Sequence, residues 1–275
     1  DIAKELVKPG RYMREELFPP MVEALHKLGG IPIKPILAES MQMGDENHTR
    51  QTACDYIYDR LMLPALFELD RPKKEIMKTV RYIVDTPRFF HCYGQAAARA
   101  ALVAADGTEY STMVTAVCGN GVEFGIKIAS LPGQWFTAPA PMMKGRYTSS
   151  EFTEKDQLPW MGDSCVVECY GMGGFAAAAS PIVCNLRGMT LKESIGQTKE
   201  MYRITMEKNY NFPIPNLDFD FLPVIDIRKA LKEGVCPAIH GGMFNRVGGL
   251  IGAGMARVPM QCFEKALVAF GEKYL

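Results

Sequence analysis

Thr112-Met113-Val114-Thr115-Ala116-Val117-Cys118-Gly119-Asn120-Gly121-Val122-Glu123-Phe124-Gly125-Ile126-Lys127-Ile128 reads as two strands folded back on one another. Both arms are rich in β-branched residues, and the Asn-Gly pair between them supplies the positive φ angles of a tight hairpin turn. In the second arm Val122, Phe124, Ile126 and Ile128 share one face, and Glu123, Gly125 and Lys127 share the other. Glu123 therefore sits beside the turn and away from the core face, where a plain surface carboxylate is the competing reading. Trp135 to Pro141 follows as a rigid aromatic and proline segment that walls a pocket or covers the sheet.

Downstream, Gly162-Asp163-Ser164-Cys165-Val166-Val167-Glu168-Cys169-Tyr170-Gly171-Met172-Gly173-Gly174-Phe175 runs into Ala176 to Ala179. Val166 and Val167 suit a strand, the glycines a turn, and the alanines a helix. A helix N-terminus leaves N–H groups without intrahelical partners and carries partial positive charge, so this turn is a candidate anion cradle. Close packing of strand on helix, with no ligand, is the simpler explanation of the glycines.

Upstream of the hairpin the pattern is helical. Pro19 and Pro20 open a helix with Met21, Ala24, Leu25 and Leu28 on one face, and Gly29-Gly30 stops it. The two prolines of Ile31 to Leu37 predict an extended connector or edge strand. In Met43-Gly44-Asp45-Glu46-Asn47-His48-Thr49-Arg50, Asp45 is the expected N-cap of a helix through Ala53, Tyr56 and Ile57 to about Leu63. Capping uses one such side chain, so Asn47, His48 and Arg50 exceed what a helix start requires, although a solvated start would also hold them. Arg71 to Lys74 form a charged break. Thr86 and Pro87 begin another helix through Ala96-Ala97-Ala98 to about Ala105, with His91 read as a core or capping histidine.

Beyond the alanines, Thr190-Leu191-Lys192-Glu193 is a capping box whose helix places Leu191, Ile195, Thr198 and Tyr202 on one stripe. Asn211 to Pro223 reads as a proline-rich loop, Val224 to Ile227 as a short strand, 228–233 as a helical turn and 234–239 as a second short strand. Gly241 to Pro259 holds six glycines within fourteen residues and predicts a backbone-exposing loop. Its Arg246 and Arg257 make an anion site as reasonable as a flexible loop. The spacing departs from a dinucleotide fingerprint, and Pro259 starts a closing helix with Phe263, Ala266, Leu267 and Phe270 inward.

These elements make an α+β protein, with a mainly helical subdomain over 1–107 and an α+β domain over 108–275 in which helices flank a mixed sheet. The 275 residues, 48% hydrophobic and 23% charged, suffice for a large core. Thirty-one basic and 31 acidic residues cancel, so no overall field recruits nucleic acid or a membrane surface. No run approaches the roughly 20 apolar residues of a membrane span, and the expected location is the cytoplasm. The eight dispersed cysteines read as reduced, mostly buried thiols rather than a zinc site, so no metal and no cofactor is expected.

The chemistry-bearing residues favour a small anionic substrate. A helix terminus supplies only ~0.3–2 kcal/mol towards an anion, whereas micromolar affinity corresponds to about 8 kcal/mol. Arginine or several directed N–H groups must supply the difference. The candidate binding set is Asp45, Glu46, Arg50, Asn120, Ser164, Glu168, Gly171, Gly173, Gly174, Asn245, Arg246, Gly252, Gly254 and Arg257. His48, Glu123 and Asp163 are the candidate acid–base groups. Gly162-Asp163-Ser164 lacks the G-x-S-x-G elbow, which argues against a serine nucleophile.

Taken in order, M-G-D-E-x-H-x-R at 43–50, N-G-x-E-F-G at 120–125, W-F-T-A-P at 135–139, G-D-S at 162–164, G-x-G-G-F-A at 171–176, I-G-A-G at 251–254 and P-M-x-C-F-E at 259–264 resemble the YlbE-like family. That family includes a subunit of oxamate carbamoyltransferase and extends further upstream into an additional α/β portion. The resemblance implies a hetero-oligomeric, and itself self-associating, enzyme of purine-nitrogen (allantoin) breakdown. Such an enzyme moves a carbamoyl group between carbamoyl phosphate and oxamate. On the residues themselves, the anion is expected at the 171–174 turn or the 248–254 loop, with an arginine clamp from Arg257 or Arg246 and a proton handled by His48 or Glu123. A non-catalytic assembly subunit and a metal-dependent hydrolase or lyase are the other classes compatible with these residues.

Overall fold

The computed structural model describes residues 2–206, 212–218 and 224–275. Asn211 and residues 219–223 of the expected proline-rich loop lie outside them.

Helices precede the sheets, as expected of the α+β class. Helix α1 (Ile2–Tyr12) passes through one π-helical stretch (Met13–Leu17) into α2 (Phe18–Leu28), so Pro19 and Pro20 fall in the first turn of a continuing helical path. Gly29 ends α2 at φ 71°, a conformation that costs glycine nothing. The expected extended connector is instead α3 (Ile33–Gln42). Pro32 is its N-cap and Pro35 lies in its first turn, where the missing N–H has no helical partner to lose. After α4 (Thr52–Phe67) and α5 (Lys73–Asp85), α6 (His91–Val103) starts later than Pro87 predicts. The Asp55 carboxylate accepts hydrogen bonds from Arg88 N (2.8 Å) and Phe90 N (2.9 Å) and holds a turn there. Leu37, Met41, Tyr58, Met62, Leu66, Phe90 and Leu102 fill the space between these helices.

The expected hairpin is β1 (Val114–Asn120) and β2 (Glu123–Ile128), paired antiparallel. Asn120 Oδ1 accepts from Val122 N and Glu123 N, and Gly121 takes φ 87°. With β3 (Phe136–Pro139), β4 (Lys144–Tyr147), β5 (Met161–Gly162), β6 (Ala238–Phe244) and β7 (Leu250–Arg257), the strands make two antiparallel sheets, β3-β2-β1-β5 and β4-β7-β6, in place of one mixed sheet. Trp160 joins them. A Cβ on Gly119 of β1 would lie 2.6 Å from its indole, and one on Gly241 of β6 would lie 2.7 Å from it.

Two glycine-rich predictions change. Val166 and Val167 form a one-turn helix, α7 (Val166–Cys169), followed by a 3₁₀ segment (Gly173–Ala179). A short apolar run buried on every side does not reveal its period. The 241–259 glycine run is not a loop but the β6–β7 hairpin, with a turn closed by Asn245 N to Gly249 O at 2.9 Å. Beyond the 3₁₀ segment lie α8 (Pro181–Leu186) and α9 (Leu191–Tyr202). The capping box at Thr190 and Glu193 is present, but α9 buries Ser194, Gln197, Thr198 and Met201 and leaves Leu191 exposed. The expected strand at 224–227 reduces to isolated bridges at Ile225 and Asp226 before α10 (Ile227–Glu233). Helix α11 (Met260–Tyr274) closes the described chain and buries Cys262, Phe263 and Ala266, with Leu267 at its exposed margin.

Candidate functional site

Two buried carboxylates organise the centre of the molecule. Glu168, on α7, is fully buried and accepts from His48 Nδ1 (2.8 and 2.9 Å), Gly174 N (3.0 Å) and His240 N (2.9 Å). Burial pushes its carboxyl up, while the His48 ring and the two backbone donors oppose that shift. Glu46, in the loop between α3 and α4, accepts from the N–H groups of His48 (3.2 Å), Thr49 and Arg50 (2.8 Å), and from His240 Nδ1 (2.9 Å). Burial raises the Glu46 carboxyl too, but the His240 hydrogen bond and the Arg187 charge outweigh it and hold the group below the usual carboxylate range. Arg187 is itself buried, donating to Thr49 Oγ1 and to Gly254 O (3.1 Å).

Two amide side chains reach the buried histidines. Gln197 Nε2 donates to Gly174 O (2.8 Å) and lies 3.0 Å from His240 Nε2, while His240 Nδ1 meets both Glu46 Oε2 (2.9 Å) and the Arg187 guanidinium (2.5 Å). Burial and Arg187 push His240 down to about 3, so it is neutral at pH 7. Gln51 Nε2 donates to His48 O (2.6 Å) and His91 Nδ1 (2.8 Å). Burial and the neighbouring His48 and Arg88 push His91 down to about 4, leaving a neutral ring with its proton on Nε2.

Within this network His48 meets an opening, together with Thr49 and His91. Its Nε2 lies 2.9 Å from Ser164 Oγ, opposite the Glu168-bound Nδ1. The ring stacks on His91 (5.7 Å between centroids, 16°) and meets Trp160 edge-on at 6.4 Å. His48, Ser164, Thr49, Asp163, Arg88 and His91 face a cavity of about 430 Å³, whose far wall includes Gly241, Gly242 and Gly252. Arg88 is exposed there at φ 63°, a backbone conformation fixed by the Asp55 turn.

The structure thus brings His48, Glu46, Glu168, Ser164 and Asp163 together and leaves other candidates elsewhere. Gly173 N and Gly174 N donate to Glu46 O (2.6 Å) and Glu168 Oε1, so the expected anion cradle is filled by the protein's own groups. Gly171, at φ 86°, continues the same turn. Asp45 is no N-cap by position, yet its carboxylate accepts from Ala53 N and Cys54 N at the start of α4. It pairs with Arg50 at 3.2 Å, and burial raises it to about 6. Glu123 is exposed and accepts from Thr137 Oγ1 (3.0 Å), and Asn120 serves its hairpin turn. Arg257 pairs with Glu200 (2.6 Å), Arg246 donates to Lys155 O (2.9 Å), and Asn245 holds the β6–β7 turn. Gly252 and Gly254 lie within β7.

Sequence reasoning missed His240, Arg187, Arg88 and the position of His91. One signal was available: the chain has four histidines, and His48, His91 and His240 converge. Serine was also set aside for want of an elbow motif, whereas Ser164, His48 and Glu168 stand in line.

The family model for "Oxamate carbamoyltransferase subunit AllG" matches residues 2–164, more than half of the chain. The chain belongs to the AllG family. It is 35% identical over 266 residues to the uncharacterized protein YahG of Escherichia coli K12, covering 96% of this chain and 56% of that one. It is 34% identical over 267 residues to the oxamate carbamoyltransferase subunit AllG of the same organism, covering 95% and 64%. A crystal structure of a conserved protein of unknown function from Enterococcus faecalis V583 superposes with a TM-score of 0.93 at 34% identity, covering 98% of this chain and 65% of that one. The chain therefore spans somewhat more than half the length of these relatives. Among the described residues no helix is long and apolar enough to cross a membrane, and no His, Cys, Asp and Glu cluster is arranged to hold a metal ion.

Proposed function

We propose that this AllG-family chain is a catalytic subunit of a carbamoyltransferase, acting with other subunits to move a carbamoyl group between carbamoyl phosphate and oxamate. The observation that carries the reading is a histidine held by a buried carboxylate at the edge of a small cavity that also presents an arginine. Carbamoyl phosphate is a small dianion, and Arg88 is the guanidinium lining the cavity among the described residues. Arg88 meets the phosphate, and neutral His91 offers its Nε2–H as a hydrogen-bond donor. Oxamate contributes a poorly nucleophilic amide nitrogen, so transfer requires a base. His48 supplies it, with Glu168 stabilising the imidazolium that forms.

Oxamate-dependent phosphate release by the assembled enzyme tests this, with His48→Gln and Arg88→Ala beside the parent. His48→Gln is expected to lower kcat by about 100-fold or more. Arg88→Ala is expected to act mainly through the KM for carbamoyl phosphate. Unchanged turnover in both variants would instead make the chain an assembly subunit, and absence of release from an intact complex would refute the reaction.

A further inference from the structure

We infer that Ser164 is a nucleophile that carries the carbamoyl group covalently, an inference that rests on the carbamoyl-transfer reading above. The alignment Ser164 Oγ to His48 Nε2 (2.9 Å) to Glu168 (2.8 Å) has a nucleophile, a base and a group that orients the base, all within hydrogen-bonding reach. Glu168 accepts the Nδ1 proton, so the Nε2 lone pair faces the serine hydroxyl. That lone pair is already engaged: the first proton His48 can take is the one on Ser164.

The surroundings hold this geometry rigidly. Glu168 is buried and fastened by Gly174 N and His240 N, and the imidazole stacks on His91 and meets the edge of Trp160. The Trp160 indole is itself anchored by Nε1 to Gly162 O (3.2 Å), two residues before Ser164. Other nucleophiles nearby are unsuited. Cys165 is buried, with its thiol pushed well up by desolvation, and Thr49 Oγ1 accepts a hydrogen bond from Arg187.

The two half-reactions balance. Ser164 Oγ attacks the carbamoyl carbon as its proton passes to His48 Nε2. The tetrahedral intermediate collapses with cleavage of the C–O bond to phosphate. Phosphate leaves with the electron pair and the proton from His48, and a carbamoyl ester remains on Ser164. The oxamate amide nitrogen then attacks that ester and gives its proton to His48. The serine oxygen departs with the C–O electron pair and takes the proton back, restoring the starting state.

The assembled enzyme with carbamoyl phosphate and no oxamate provides the test. A covalent ester predicts exchange of labelled inorganic phosphate into carbamoyl phosphate without acceptor. It also predicts one carbamoyl group on the peptide carrying Ser164, discharged on adding oxamate. Ser164→Ala should abolish exchange and adduct and lower transfer by about 1000-fold or more, with its thermal unfolding checked for an intact fold. Discharge by oxamate separates the ester from adventitious cyanate modification of lysine or cysteine. Transfer by the parent with neither exchange nor a Ser164 adduct would overturn the covalent step and leave the proposed reaction standing. No transfer by the intact parent would overturn both.

Discussion

The glycine-rich stretches at 171–174 and 241–254 are similar in composition and differ in what approaches them. At the first, a charged side chain meets one glycine and strand backbone the next: a Cβ on Gly173 would lie 2.1 Å from Glu168 Oε1, and one on Gly174 2.1 Å from Ala238 O. At the second, the neighbours are a ring and strands. Gly241 admits the Trp160 indole, and Cβ atoms on Gly252 and Gly254 would lie 2.4 Å from Arg146 O and 2.6 Å from Lys144 O. Glycine in a sequence announces that something comes close; its identity is set by the rest of the fold. Here the first stretch seats the carboxylate behind His48, while the second walls the cavity and lets β4 lie against β7.

The largest effect expected from breaking this contrast is at Gly173. An alanine there must adopt φ near 57° and displace a buried carboxylate that accepts from three other groups. Disturbing a buried pair of this kind costs about 3–5 kcal/mol, and His48 loses its orientation with it. Gly145→Ala is the matched control. Its Cβ would lie 2.0 Å from Ala253 O, so β4 must move from β7 at a cost of about 1–3 kcal/mol, away from Glu168. Urea melts and turnover per folded molecule separate the two. Gly173→Ala should lose both quantities and Gly145→Ala chiefly stability. Equal losses of turnover would erase the distinction.

That contrast also shows what the sequence could convey. The Asn120-Gly121 turn, the Thr190–Glu193 box and the Gly29 stop were legible because each depends on partners within a few residues. The α+β class followed from such local signals. The 166–169 helix and the 33–42 helix were misread because burial on all sides, and prolines that fit a first turn, mask the period. His48 and Glu168 were picked out individually, but their contact spans 120 positions, and His240 to Glu46 spans 194. Nothing local encodes such pairs. Arg246 and Arg257 looked available because their acceptors, Lys155 O and Glu200, are remote in sequence, while Arg88 was hidden behind Pro87.

Acid sharpens the comparison with an intermediate effect, because titratable groups crowd the first stretch. His91 and His240 have folded values of about 4 and about 3, below the ordinary 6.5, so the unfolded chain takes up their protons first. Their contribution is fully present above pH 6.5 and is lost as pH falls towards those folded values. Asp45 works in the opposite sense. Its folded value of about 6 lies above 3.8, so its contribution is present at low pH and lost as pH rises through about 6. Glu168, Asp55 and Asp59, whose carboxyls burial also raises, act in the same sense as Asp45, so the difference between variants carries the prediction. Each neutral histidine by itself makes stability fall on acidification from pH 6.5 to about 5 by up to about 1.4 kcal/mol per pH unit. His91→Gln should flatten that slope. Urea melts of parent and variant from pH 7 to pH 5 measure it, and an identical pH dependence in the two would contradict a neutral His91.

The smallest effect belongs to Glu123, which shares with Glu168 a place beside glycines and a negative side chain, and nothing else. Glu168 is enclosed and meets three donors; Glu123 is exposed on β2 and meets one hydroxyl, that of Thr137. Glutamine at 123 keeps an acceptor for that hydroxyl and loses a charge that water already solvates. Glu123→Gln should therefore leave stability within about 0.5 kcal/mol of the parent, and phosphate release within about twofold. Burial among converging donors, rather than proximity to glycine, then distinguishes the carboxylate that orients a base from the one that decorates a hairpin. A collapse of turnover in Glu123→Gln would reverse that conclusion: it would place the chemistry at the β1–β2 turn and leave the Glu168 network as scaffold.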